Sequence, residues 1–138
     1  MEERRDPIRR LARALSAAAA LACALAGAAV ACELPPGTRL ESKRLELSYR
    51  TIPSRIAVGE HFALEFAACP RAGAAPPGRV KLDAHMPEHK HGMNYRPDLR
   101  PLGPGRYRSE GWLFHMPGRW EFIFEIGGER FTHSVQVE

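Results

Sequence analysis

Trp120-Glu121-Phe122-Ile123-Phe124-Glu125-Ile126-Gly127-Gly128-Glu129-Arg130-Phe131 is the stretch that decides how this chain folds. Trp120, Phe122, Phe124 and Ile126 alternate with Glu121, Ile123 and Glu125, which is the period-two pattern of a strand with one apolar face. Gly127-Gly128 supplies a tight turn, because glycine adopts positive φ without steric cost. From Phe131 to Val137 the chain is extended again, so the stretch reads as a β-hairpin.

Working outward, the same alternation recurs. Tyr107 to Met116 places Trp112, Phe114 and Met116 on one face. Val80, Leu82, Ala84 and Met86 alternate with Lys81, Asp83 and His85. Phe62, Leu64, Phe66 and Ala68 share a face opposite His61, Ala63, Glu65 and Ala67. Leu45, Leu47 and Tyr49 begin the series. Proline and glycine punctuate the intervals at 51–59, 69–78 and 97–105, where they stop strands and form turns. No segment after residue 31 carries a sustained helical stripe. The pattern predicts an all-β, immunoglobulin-like antiparallel β-sandwich of about seven strands, with a small barrel as the alternative. The domain is expected over residues 44–138, behind a Pro-Pro-Gly linker at 32–43.

Residues 1–31 have a different composition. Arg4, Arg5, Arg9, Arg10 and Arg13 precede an uncharged, alanine-rich run from Ala14 that ends in Ala29-Val30-Ala31. A basic start, an apolar middle and an A-x-A ending are the marks of an export signal. Three outcomes stay open: cleavage to a soluble form, lipoprotein processing at Cys32, or an uncleaved membrane anchor. Each places residues after 32 outside the cytoplasm, in the periplasm or its equivalent. Contact with a membrane is expected only through the N-terminal segment or a lipid on Cys32. Without residues 1–31 the chain holds 15 basic and 13 acidic residues, so its net charge falls from +4 to +2. Such a balance gives no footing for nucleic acid.

Cys32 and Cys69 are an even pair once Cys23 leaves with the signal, and an oxidising compartment favours a disulfide between them. A lipid on Cys32 would leave Cys69 as a lone thiol. There is no C-x-x-C, so redox chemistry of the thioredoxin type has no support.

The chemistry-bearing residues cluster in Ala84-His85-Met86-Pro87-Glu88-His89-Lys90-His91-Gly92-Met93. A second His-Met pair, His115-Met116, precedes Pro117-Gly118. Imidazole together with thioether suits copper, above all Cu(I), because soft sulfur favours soft ions. Zinc is the weaker choice, since thioether is a poor zinc ligand. Calcium and magnesium want several oxygens, which this loop lacks. The candidate metal ligands are Met86, His89, His91, Met93, Met116, His115 and His85. On strict alternation Met86 and Met116 point with the core residues, whereas His85 points away from them. His61 and His133 are isolated and read as structural or exposed. The chain has no Gly-x-Ser-x-Gly, no phosphate-binding glycine loop and no His-Glu-x-x-His, so no enzyme is expected.

Met86-Pro87-Glu88-His89-Lys90-His91-Gly92-Met93, then Gly105-x-Tyr107, then Met116-Pro117-Gly118-x-Trp120-Glu121 resembles the YtkA-like domain family. These are small exported or membrane-anchored bacterial domains related to the FixH group. The resemblance runs from about Leu45 to Val137. The chain departs from the usual Met-Pro-x-His-Gly-His-Gly-Met at Lys90, where glycine is common. The resemblance implies an extracytoplasmic immunoglobulin-like sandwich associated with copper handling or oxidase maturation. Its motif residues fall on Met86, His89, His91, Met93 and Met116. Two functions are therefore expected in competition. One is a copper-binding accessory domain that carries or buffers the ion for a periplasmic or membrane partner. The other is a metal-free interaction domain with structural Met-Pro loops.

Overall fold

The computed structural model describes residues 32–138; residues 1–31, expected to be an export signal and containing Cys23, lie outside the described residues. Among the described residues nine strands form: β1 (Thr38–Glu41), β2 (Leu45–Ile52), β3 (His61–Pro70), β4 (Val80–Met86), β5 (His91–Gly92), β6 (Arg100–Gly103), β7 (Arg106–Leu113), β8 (Gly118–Ile126) and β9 (Glu129–Val137). The glycine-turn hairpin is β8–β9, and its register runs unbroken from Gly118↔Val137 to Ile126↔Glu129.

The strands pair into two antiparallel sheets, ordered β1-β2-β3-β7-β6 and β5-β4-β8-β9. The core of that arrangement, β2-β3-β7-β6 facing β4-β8-β9, is the strand order of an immunoglobulin-type sandwich. The count exceeds seven because two short strands, β1 and β5, extend the edges.

β1 lies inside the segment expected to be a linker. Leu40 packs its half-buried side chain against the core, and Thr38 to Glu41 pair with Tyr49 to Glu46. Cys32 is bonded to Cys69 of β3, so the arm is held covalently as well. Closing a loop of 37 residues contributes about 4 kcal/mol in the chain-entropy account of disulfides.

Aromatic rings join the two sheets. Tyr49 meets Phe124 at 5.1 Å between ring centroids, Phe66 meets Phe124 at 5.7 Å, and Trp112 meets Phe122 at 5.5 Å. Such pairs add roughly 0.5–1.5 kcal/mol each beyond the area they bury. Ser109, fully buried, accepts a 2.8 Å hydrogen bond from Trp112 Nε1 and donates to the Asp98 carbonyl. The loop after Met93 is thereby tied back to β7.

On the outer face of the five-stranded sheet Glu65 stands between Arg50, at 2.6 Å, and Arg108, at 2.7 Å. The Arg50 hydrogen bond is the main influence holding the Glu65 carboxyl below its usual value, with Arg108 acting in the same sense. A carboxyl whose pKa is depressed by folding stabilises the native state above the unfolded pKa, about 4.3. That stabilisation fades as pH falls through the folded value. Glu65→Gln is therefore expected to lower the urea midpoint at pH 7 and to flatten its decline in acid. Equal acid sensitivity in the two proteins would reject the assignment.

Candidate metal centre

Two turns build one end of the sandwich. β4 finishes at Met86, and the amides of His89 and Lys90 both donate to the Met86 carbonyl, at 3.2 and 2.9 Å. The turn closes because Lys90 takes φ 55°, the left-handed conformation normally left to glycine. Lys90 thus adopts the backbone geometry for which glycine is suited, despite carrying a side chain. β5 then folds back on β4, with Met86 opposite His91 and His85 opposite Gly92. Residues opposite one another on paired strands share a face, so His91 lies on the same inner face as Met86.

The second turn, residues 114–117, carries the chain from β7 in one sheet to β8 in the other. It ends at Gly118, whose φ is 127°. A Cβ there would lie 2.8 Å from the terminal methyl of Met86. The two Met-Pro turns therefore meet, and the thioether of Met86 rests where Gly118 leaves room for it.

At this end the imidazoles form a row. The His91 and His115 rings lie 5.2 Å apart and those of His89 and His91 5.8 Å apart, centroid to centroid. With ion-to-nitrogen distances of about 2 Å, two imidazoles on one tetrahedral ion have centroids roughly 5 Å apart. Both spacings are compatible with a shared ion. Trp120, fully buried, stacks on Phe114 at 4.3 Å and stands steeply inclined to His115 at 5.4 Å and His91 at 5.9 Å. Its Nε1 donates to the Met116 carbonyl at 3.0 Å, which holds the second turn in place.

Hydrogen bonding fixes what the two inner imidazoles offer. His91 Nδ1 lies 3.1 Å from the Gly92 carbonyl, and a carbonyl only accepts, so Nδ1 carries the proton. In the neutral ring this tautomer leaves the lone pair on Nε2, the form in which an imidazole binds a metal. His115 Nδ1 is buried and has no hydrogen-bond partner among the described residues. Leaving such an atom unsatisfied costs about 1–3 kcal/mol.

The other predicted residues are placed differently. His85 projects from the outer face of its sheet, where Nε2 meets Glu121 Oε1 at 2.9 Å, and so stands apart from the row. His89 is exposed at the turn. Met93 and Met116 are partly buried against the core, and the Met93 amide donates to the Ala84 carbonyl. His61 Nδ1 donates to the Trp112 carbonyl. His133 Nδ1 lies 2.5 Å from the Tyr49 hydroxyl, whose pKa burial pushes up to about 12. Among the described residues no three His, Cys, Asp or Glu side chains converge on a single point. Trp120, Gly118 and Glu121 complete the local architecture, and their roles were not read from sequence beyond their place in the Met-Pro-Gly-x-Trp-Glu motif. Comparison with family profiles and with curated proteins gave no match.

Proposed function

We propose that this chain is an exported copper-binding accessory domain of the YtkA-like kind. In this reading it holds Cu(I) with His91 and His115, together with the thioethers of Met86 and Met116. It carries or buffers the ion for a periplasmic or membrane partner. The observation that carries the reading is the unsatisfied Nδ1 of His115, beside an imidazole whose Nε2 lone pair is free. A nitrogen kept dry and unbonded is costly in a metal-free protein and useful as a ligand. Two imidazoles at 5.2 Å, with Met86 opposite His91 in the strand register and Met116 next to His115 in the chain, offer a soft mixed set that favours Cu(I) over zinc. The Cys32–Cys69 bond supports an oxidising compartment, with a Cys32 sulfur that carries no lipid.

Competition against a colourimetric Cu(I) chelator tests the proposal. Wild type should take one equivalent, and His91→Ala/His115→Ala should bind about a hundredfold or more weakly while remaining folded. Equal affinity in the two proteins would sink it.

The metal-free interaction domain has its own support. Met86 is fully buried, Met93 and Met116 pack on the core, and Tyr95, Leu99 and Leu102 expose apolar surface in the following segment. It becomes the better reading if wild type fails to bind Cu(I).

A further inference from the structure

We propose that His89 is the entry residue of this site: it takes Cu(I) first from a donor and passes it inward through His91. The inference rests on the copper reading above and adds a direction to it. The three imidazoles run from solvent to interior. His89 is exposed, His91 and His115 are both half-buried, and of the inner two His115 holds a fully covered Nδ1. His91 stands between the others, 5.8 Å from His89 and 5.2 Å from His115.

The three rings do not close on one point, so His89 is not an equivalent member of the inner set. They form two overlapping pairs that share His91. Cu(I) accepts two, three or four ligands, so an ion can sit on the outer pair and then exchange His89 for His115. His91 stays bound throughout, and no step leaves the ion without a protein ligand. Exchange by overlapping sites needs no redox change and no net proton release once the lone pairs are free.

The turn fixes where this happens. The two amides donating to the Met86 carbonyl set the backbone of residues 86–90. Glu88 is paired with Arg119 of β8 at 3.3 Å, which leaves His89 presented to solvent beside an anchored neighbour. The matching partner is a protein or chelate that holds Cu(I) by soft, exchangeable donors and presents it at an exposed surface.

Stopped-flow transfer from a preformed Cu(I)–bicinchoninate complex to the full mature chain reads rate and affinity separately. His89→Gln should slow transfer about tenfold while equilibrium affinity changes less than about threefold, the signature of a residue acting on the path rather than the endpoint. His89→Met should recover most of the rate, because thioether also accepts Cu(I). His115→Gln should instead lower affinity. Transfer at the wild-type rate in His89→Gln overturns the proposal. So does a loss of affinity as large as that of His115→Gln, which would make His89 an endpoint ligand. If wild type takes no Cu(I), the copper reading fails and this proposal fails with it; if wild type binds and only the His89 result is negative, the copper reading stands alone.

Discussion

His115→Leu should yield a metal-free protein about 1–2 kcal/mol more stable than wild type, with Cu(I) affinity lowered about a hundredfold. The two effects share one cause. His115 Nδ1 is buried without a partner, so the native state carries its desolvation penalty whenever no ion is bound. Leucine keeps comparable bulk beside Trp120, whose ring lies 5.4 Å from the imidazole, and it has no polar atom to satisfy. Removing an unsatisfied group in favour of apolar volume stabilises, whereas the lost nitrogen withdraws a ligand. Opposed effects on stability and function are common where a site holds groups that the fold itself does not need. Urea unfolding of metal-free protein and Cu(I) competition on the same preparations check both halves. A clear loss of stability in metal-free His115→Leu would mean that the imidazole is a packing residue.

Phe122→Ala should cost about 3–5 kcal/mol, close to the limit that a domain of this size withstands. Phe122 has no solvent exposure and sits within 6.4 Å, centroid to centroid, of Tyr49, Phe62, Trp112, Phe114 and Phe124. Four of these five rings come from outside its own sheet, so the truncation opens a cavity between the layers. Rings held by this many neighbours collapse poorly onto a void, which places the cost high in the range for such substitutions. Thermal and urea unfolding measure it. A loss below about 1.5 kcal/mol would show that the surrounding rings close the space.

The strands with alternating faces were legible because one side of each is buried against the other sheet. The hairpin β8–β9 and the runs in β2, β3, β4 and β7 follow that pattern closely. β1 was hidden behind Pro35-Pro36-Gly37, since the pairing that orders Thr38–Glu41 comes from β2 and from a disulfide. β5 is two residues long and exists only because the Lys90 turn folds it onto β4, so no periodicity marks it. The His and Met donors were visible as residue types, but their grouping depended on which turns share an end of the sandwich. Alternation also misplaced the second turn. β7 stops at Leu113, so the faces expected for His115 and Met116 do not continue from the strand. His115 therefore has a covered Nδ1 while Met116 is only partly buried against the core. His85, by contrast, faces outward as its strand position required.

The crossing of the chain between sheets has a mechanical meaning. Met86 and His91 belong to one layer, and His115 lies on the span that arrives from the other. Their separation is therefore set by how tightly the two layers are pressed together, as the gap of a vice is set by its screw. The screw is the aromatic packing around Phe122, which is linked to the imidazoles through Phe114 and Trp120. Loosening that packing would widen the jaws without touching a donor atom, so ion affinity becomes a gauge of how firmly the distant interior is closed.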